Sequence, residues 1–114
     1  MNGVKILSRR SRKEILGKVR EYAGYLRRAY GDDVLEAYVI GSVASGTHGP
    51  RSDVDIVLVV KDPRKLSFTE LKIKAAETIG LPVDLIVLSE RDLEYHRSRN
   101  TRFYRELSKS VKIL

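Results

Sequence analysis

The segment that most constrains the fold runs from Gly41 to Val60 and reads GSVASGTHGPRSDVDIVLVV. After Asp53 it becomes a run of Val, Ile and Leu that is interrupted by Asp55. A strand with two apolar faces is typical of a sheet that is covered on both sides. We therefore expect a buried strand over residues 53–60, with helices packed on both faces of its sheet.

Capping residues and apolar periodicity predict the helices around this strand. Ser11 and Gly31 bound one predicted helix, and Ser67 and Gly80 bound another. The other predicted elements are strands over residues 34–40, 82–88 and 111–114, a helical turn over residues 42–45, a helix capped by Ser89, and a helix starting at Asn100 or Thr101. This alternation predicts an α/β fold, a small mixed β-sheet of three to four strands flanked by helices.

Two glycines, Gly17 and Gly24, lie inside the first predicted helix, where each costs about 1 kcal/mol relative to alanine. We expect one of them to be needed for close packing on the sheet. The opposite side of this helix is basic and is either a solvated face or one that faces an anion. Its cations are Arg12, Lys13, Arg20, Arg27 and Arg28.

Length and composition limit the class of protein. A chain of 114 residues with 42% hydrophobic and 32% charged residues predicts one soluble globular domain over residues 1–114. The absence of cysteine excludes disulfides, thiolate metal sites and cysteine nucleophiles. No apolar run is long enough to span a membrane, and residues 1–10 lack the apolar centre of a signal peptide. We therefore expect a cytoplasmic protein.

The net charge of +7 is unevenly distributed. Residues 1–30 carry a net charge of +7, residues 31–88 of −3 and residues 89–114 of +3. This pattern is expected if the acidic centre binds cations and the basic ends face phosphate or an acidic partner, although a solvated basic surface explains the ends equally well.

Three aspartates in the acidic centre form the candidate site. Asp53 and Asp55 project to one face of an extended segment and repel each other unless a cation such as Mg²⁺ lies between them. Asp84, near the start of the next strand, can share that ion. With a phosphate bound by the backbone of a Gly41-Ser42 turn, three such carboxylates would suit phosphoryl or nucleotidyl transfer.

Taken singly, Asp53 is better explained by a turn that leads into a strand, and Asp84 by a strand edge that faces water. Taken together with the Gly-Ser turn at the right distance, the acids favour the metal site. The two histidines are poor zinc ligand candidates, because we expect His48 to be a solvent-exposed loop residue and His96 lies on a charged helix.

The Gly-Ser pair, ten further residues, DVD and a distant strand acid together resemble the DNA polymerase β-type nucleotidyltransferase superfamily. The whole chain is similar to its minimal nucleotidyltransferases, which often accompany a HEPN-domain partner in prokaryotic toxin–antitoxin pairs. The string THGPRSDVD also resembles aminoglycoside nucleotidyltransferases, and the tail RNTRFYRELSKSVKIL resembles the usual ending of the minimal proteins. The resemblance implies a DNA polymerase β palm-like nucleotidyltransferase fold.

The resemblance also implies residue roles. The nucleotide-binding positions are Gly41, Ser42 and Ser52, the metal ligands are Asp53, Asp55 and Asp84, and the same three aspartates are catalytic, with Asp84 orienting or deprotonating the acceptor. Gly46 matches a second motif glycine. Two Mg²⁺ ions and a nucleoside triphosphate, ATP by expectation, are the implied cofactor and substrate.

The resemblance predicts a Mg²⁺-dependent nucleotidyltransferase that moves AMP or another NMP to a hydroxyl, such as a tyrosine of a HEPN toxin, so that the chain acts as an antitoxin. Relatives frequently carry arginine at one or both of the positions of Val43 and Ser45. Strong triphosphate binding here would need Arg51 or another basic residue in place of those arginines. The alternative is therefore a catalytically weak or inactive nucleotidyltransferase-like module that neutralises a partner by stoichiometric binding. Nucleic-acid binding through the basic ends ranks last, and a homo-oligomer stays open.

Overall fold

The computed structural model describes residues 10–114 of the chain. The helices are α1 (Arg12–Tyr30), α2 (Gly41–Ser45), α3 (Phe68–Ile79), α4 (Glu90–Ser98) and α5 (Arg102–Leu107), and the strands are β1 (Val34–Ile40), β2 (Val54–Val60), β3 (Val83–Ser89) and β4 (Val111–Lys112). Short 3₁₀ turns follow α1 at Gly31–Asp33 and precede α3 at Pro63–Lys65.

The four strands form one mixed sheet in the order β3-β2-β1-β4. β2 runs parallel to β3, and β1 runs antiparallel to both β2 and β4. Every residue of β2 except Asp55 is fully buried, as the apolar run predicts. The predicted α/β class, with a mixed sheet of three to four strands flanked by helices, is confirmed.

Helices cover both faces of this sheet. α1 and α3 contact each other and pack on the face that carries Ala37 and Val39 of β1 together with Ile56 and Leu58 of β2. α4 and α5 contact the sheet as well, and Tyr38 of β1, which points away from Ala37 and Val39, shares a cavity with side chains of both helices. The resulting three layers explain why β2 has no polar face beyond Asp55.

The predicted helix caps are the observed ones. The side-chain oxygens of Ser11, Ser67, Ser89 and Thr101 each accept a hydrogen bond from the backbone N–H three residues later, at 3.1–3.2 Å. These bonds satisfy amides that would otherwise lack a partner at a helix start. The boundaries differ from expectation by one residue at the starts of α2 and β2 and at both ends of β3. The last strand, expected over residues 111–114, ends at Lys112.

The expectation that Gly17 or Gly24 allows α1 to approach the sheet is wrong. Gly17 is exposed and has no heavy atom within 4 Å of an added Cβ, and a Cβ at Gly24 would meet only Nη1 of Arg28, at 3.3 Å. The buried side of α1 is made by other residues, namely Ile15, Leu16, Val19, Tyr22, Ala23 and Leu26. Neither glycine is therefore explained by packing within residues 10–114.

Among the helices of residues 10–114, none combines the length and the apolar character that a membrane span requires. The expectation about a signal peptide concerns residues 1–10, of which residues 1–9 lie outside the described part of the chain. A single domain over residues 1–114 stays a prediction.

Replacing Gly17 with alanine should stabilise the protein, because alanine loses less backbone entropy in a helix and its methyl group meets no other atom. We expect the free energy of unfolding in urea to rise by about 0.5–1 kcal/mol. Gly24→Ala is the matched control and should gain less, because its methyl group displaces the Arg28 guanidinium. An unchanged or lower stability of Gly17→Ala would contradict this reading of α1.

Candidate active site

Two of the predicted aspartates lie side by side on adjacent parallel strands. Asp55 of β2 is in register with Asp84 of β3, and the N–H of Val54 donates to the carbonyl oxygen of Pro82 at 2.9 Å, which ties together the starts of the two strands. Neighbouring strands are about 4.8 Å apart, and residues in register project to the same face. The sheet therefore brings the carboxylates of Asp55 and Asp84 to one edge, as expected from their positions near the strand starts.

The end of β1 reaches the same edge. Ile40 pairs with Asp55 across the antiparallel β1–β2 ladder, and the next residue, Gly41, starts α2 with a φ of +71°. A Cβ on Gly41 would lie 2.3 Å from Oδ2 of Asp55, well inside the closest approach of two such atoms. Glycine is therefore required by its φ and by its contact with the Asp55 carboxylate.

The electrostatics of the site centre on Asp55. Partial burial raises the pKa of Asp55, and the negative charges of Asp84, Asp53 and Glu106 raise this pKa further, in decreasing order. Asp53 and Asp84 themselves are exposed to solvent. All three predicted aspartates are thus close enough for their charges to interact. Glu106 of α5 is a fourth acid in this group, and it was not predicted from the sequence.

The donor chemistry of this group suits a hard divalent cation, since carboxylate oxygens are the preferred protein ligands of Mg²⁺. The aspartate side chains are nevertheless farther apart than the ligands of a formed metal centre. Within residues 10–114, no three side chains from His, Asp and Glu are close enough together to hold an ion. Carboxylates that repel one another are expected to separate when no cation is bound, and the exposed Asp53 and Asp84 side chains are free to do so.

A cleft of about 350 Å³ lies beside α2. Its lining residues are Gly41, Ser42, Ala44, Ser45, Thr47, Glu106 and Lys109. Two of the predicted nucleotide-binding residues, Gly41 and Ser42, are thus part of one concave surface. Ser52 lies outside that lining, and its Oγ accepts a hydrogen bond from the N–H of Gly49 at 2.8 Å, which closes the turn before β2.

α5 contributes Glu106 to this cleft, and the turn after α5 contributes Lys109. Neither residue was assigned a role from the sequence. The closest indication in the sequence was the resemblance of the whole tail, RNTRFYRELSKSVKIL, to the usual ending of the minimal nucleotidyltransferases. No local pattern marks these two residues, because they reach the cleft through the packing of α5 against β1, a contact between segments distant in the sequence.

His48 is not the solvent-exposed loop residue that we expected. It is 3% exposed, and its Nε2 donates to the carbonyl oxygen of Arg10 at 2.5 Å, so the ring ties the loop after α2 to the segment before α1. Nearby, Nε of Arg12 donates to the carbonyl oxygens of Val43 and Ala44, both at 3.2 Å. These contacts fix α2 from the side of α1.

A mixed sheet with acids at adjacent strand starts, next to a turn that requires glycine, is an arrangement suited to metal-dependent transfer of phosphate groups. The family model of the nucleotidyltransferase domain matches residues 19–112. The chain belongs to the nucleotidyltransferase domain family, and its enzyme class is nucleotidyltransferase, as the motif predicts.

Solved structures agree on the fold. The chain is similar to a candidate nucleotidyltransferase from Sulfolobus solfataricus, with a TM-score of 0.59 and 22% identity over 98% of this chain and 90% of that one. It is also similar to a chain of a mutant toxin–antitoxin complex, MntA–HpeT, with a TM-score of 0.59 and 22% identity over 83% of this chain and 72% of that one. A toxin–antitoxin structure with AMP-PNP gives a TM-score of 0.53 and 22% identity over 77% and 88% of the two chains.

One curated protein, bifunctional protein FolD of Helicobacter acinonychis, is 37% identical over 66 residues. The match covers 58% of this chain but only 22% of that protein. Because it concerns a minor part of FolD, the activities of that protein are not transferred to this chain.

Gly41→Ala should abolish most nucleotidyl transfer, because the added methyl group must displace the Asp55 carboxylate. We expect a loss of about 100-fold or more, the effect of an ångström-scale displacement of a reacting group. Gly80→Ala is the matched control, since Gly80 has a φ of +74° but the nearest atom to its added Cβ lies at 3.6 Å. Both variants should lose about 1–2 kcal/mol of stability, and equal losses of activity would contradict the role of the Gly41–Asp55 contact.

Asp55→Asn should stabilise the metal-free protein at neutral pH. The pKa of Asp55 is raised in the folded state, so its ionisation opposes folding, and this loss of stability develops as the pH rises from the ordinary aspartate range through the raised pKa. We expect a gain of at most about 1 kcal/mol at pH 7, since water screens a half-exposed site.

The measurement is urea unfolding in EDTA at pH 3 and pH 7, with the exposed Asp32→Asn as the control. The difference between Asp55→Asn and wild type should vanish at the lower pH. A variant that is less stable than wild type at pH 7 would show that Asp55 stabilises the fold instead.

Proposed function

We propose that this chain transfers AMP from ATP to a hydroxyl group, using Mg²⁺ held by Asp53, Asp55 and Asp84. The observation that carries the proposal is the register of Asp55 with Asp84, at the point where Gly41 contacts the Asp55 carboxylate. Membership of the nucleotidyltransferase domain family supports the reaction class, and oxygen ligands support the choice of metal.

Two Mg²⁺ ions in such a site would supply charge neutralisation on the phosphates and would lower the pKa of the attacking hydroxyl. Asp55 is the best-fixed ligand of the three, because it lies within β2 and against the backbone of Gly41. Asp53 and Asp84 are exposed and complete the site by rotating towards Asp55 when the cation offsets their repulsion. Asp84 then orients the acceptor hydroxyl and receives its proton.

The cleft beside α2 is where we place the phosphate tail. Gly41 and Ser42 form one wall of it, and Asp55 lies directly against Gly41. A triphosphate whose β- and γ-phosphates contact this wall has its α-phosphate near the aspartates. In-line attack on that phosphorus releases pyrophosphate, while the AMP group remains bonded to the acceptor oxygen.

The acceptor that we propose is a side-chain hydroxyl, such as a tyrosine, on a HEPN-domain toxin, so that the chain is the antitoxin of a pair. The support is the likeness of its fold to chains of toxin–antitoxin complexes, one of which was solved with AMP-PNP. A cytoplasmic location follows from this role.

A second candidate function, neutralisation of the partner by stoichiometric binding without transfer, is favoured by the neutral character of α2. Val43 is buried, and the hydroxyl of Ser45 is hydrogen bonded to backbone oxygens of Gly41 and Ser42, so neither position presents a cation to a triphosphate. Arg51 lies outside the cleft lining. A calorimetric titration with Mg²⁺ and millimolar ATP separates the two functions, because only the enzyme must bind the nucleotide.

ATP labelled in its AMP part, with Mg²⁺, should label the proposed HEPN-domain partner, for which the product of the gene next to that of this chain is the candidate. The variant Asp53→Asn plus Asp55→Asn should lose this labelling by about 1,000-fold or more, because metal binding contributes several kcal/mol to such a transfer. The double variant Asp32→Asn plus Asp33→Asn is the matched control, since it removes two neighbouring exposed acids away from the cleft. It should label at the wild-type rate. Labelling that survives the loss of Asp53 and Asp55 would refute the proposal.

A further inference from the structure

The cleft beside α2 has a second wall, formed by the end of α5. Glu106 lies in the last turn of α5 and Lys109 just beyond it, where the N–H of Lys109 donates to the carbonyl oxygen of Glu106 at 3.1 Å. Both residues line the cleft together with Gly41 and Ser42. The end of α5 and the start of α2 are thus brought face to face across one space.

Lys109 is the cation in this lining, whose other members are small or hydroxyl residues and Glu106. Its side chain is exposed. The ion pairs found within residues 10–114 are Lys18–Glu21, Arg64–Asp62, Arg97–Glu94 and Lys112–Glu36, so Lys109 is not paired with Glu106 or with another described acid. Its charge is therefore available to a ligand in the cleft.

The opposite wall offers no compensating charge. Ser45 and Thr47 contribute hydroxyl groups that are 2.8 Å apart and hydrogen bonded to each other. Arg12 approaches α2 with its Nε bonded to the carbonyl oxygens of Val43 and Ala44, and it is not part of the cleft lining. A polyphosphate in this cleft would otherwise meet only neutral groups and the carboxylate of Glu106.

We propose that Lys109 binds the terminal phosphates of the nucleoside triphosphate, so that the end of α5 forms part of the nucleotide site. This inference rests on the proposed function and adds to it the residue that supplies the missing positive charge. Lysine is a frequent phosphate ligand because its ammonium group is a compact point charge with three donors. Lys109 also offsets the negative charge that Glu106 presents to the same phosphates.

The test is calorimetric titration of the full chain with Mg²⁺-ATP and, separately, with AMP. Lys109→Ala should weaken ATP binding by about 10- to 100-fold, the usual effect of losing a hydrogen bond to a charged group. Lys109→Arg keeps the charge and should stay within a few-fold of wild type. Lys72→Ala is the matched control, since Lys72 is an exposed lysine on α3, which packs on the other face of the sheet, and it should leave ATP affinity unchanged.

AMP lacks the terminal phosphates, so its affinity should change much less than that of ATP in Lys109→Ala. The inference is overturned if Lys109→Ala loses no more ATP affinity than Lys72→Ala, or if ATP and AMP weaken by the same factor. In either case wild-type binding of ATP leaves the proposed function standing. A wild-type chain that binds no ATP would overturn both.

Discussion

The contact between the backbone of Gly41 and the carboxylate of Asp55 is the constraint on which the rest of the site depends. It fixes where β1 must end, because the chain has to leave the sheet through a left-handed glycine at that position. It also brings α2 and its cleft against the start of β2. The parallel pairing of β2 with β3 then adds Asp84 beside Asp55 without any further loop.

The same contact has an electrostatic cost. Asp55 is partly buried among like charges from Asp84, Asp53 and Glu106, and its pKa is raised as a result. A fold selected only for stability would not keep such a group near the start of its central strand. The arrangement is better explained if stability is given up for a site that becomes favourable when a cation is present, which is a common relation between function and stability.

Much of the fold follows from local signals in the sequence. The caps at Ser11, Ser67 and Ser89 and the apolar run of β2 act within a few residues, so they predicted element types and boundaries closely. Contacts between segments that are distant in the sequence could not be predicted in this way. His48 is buried because its ring meets the carbonyl of Arg10. Glu106 and Lys109 reach the cleft because α5 packs against β1. No spacing in the sequence encodes either contact.

The most direct measurement of the central claim is anomalous diffraction from crystals grown with Mn²⁺ and a non-hydrolysable ATP analogue. Manganese suits this purpose because it accepts the same carboxylate and phosphate oxygens as Mg²⁺. The account predicts a peak about 2.0–2.3 Å from a carboxylate oxygen of Asp55, shared with Asp53 or Asp84 and with a phosphate oxygen. A nucleotide bound with its metal away from Asp55 would contradict it.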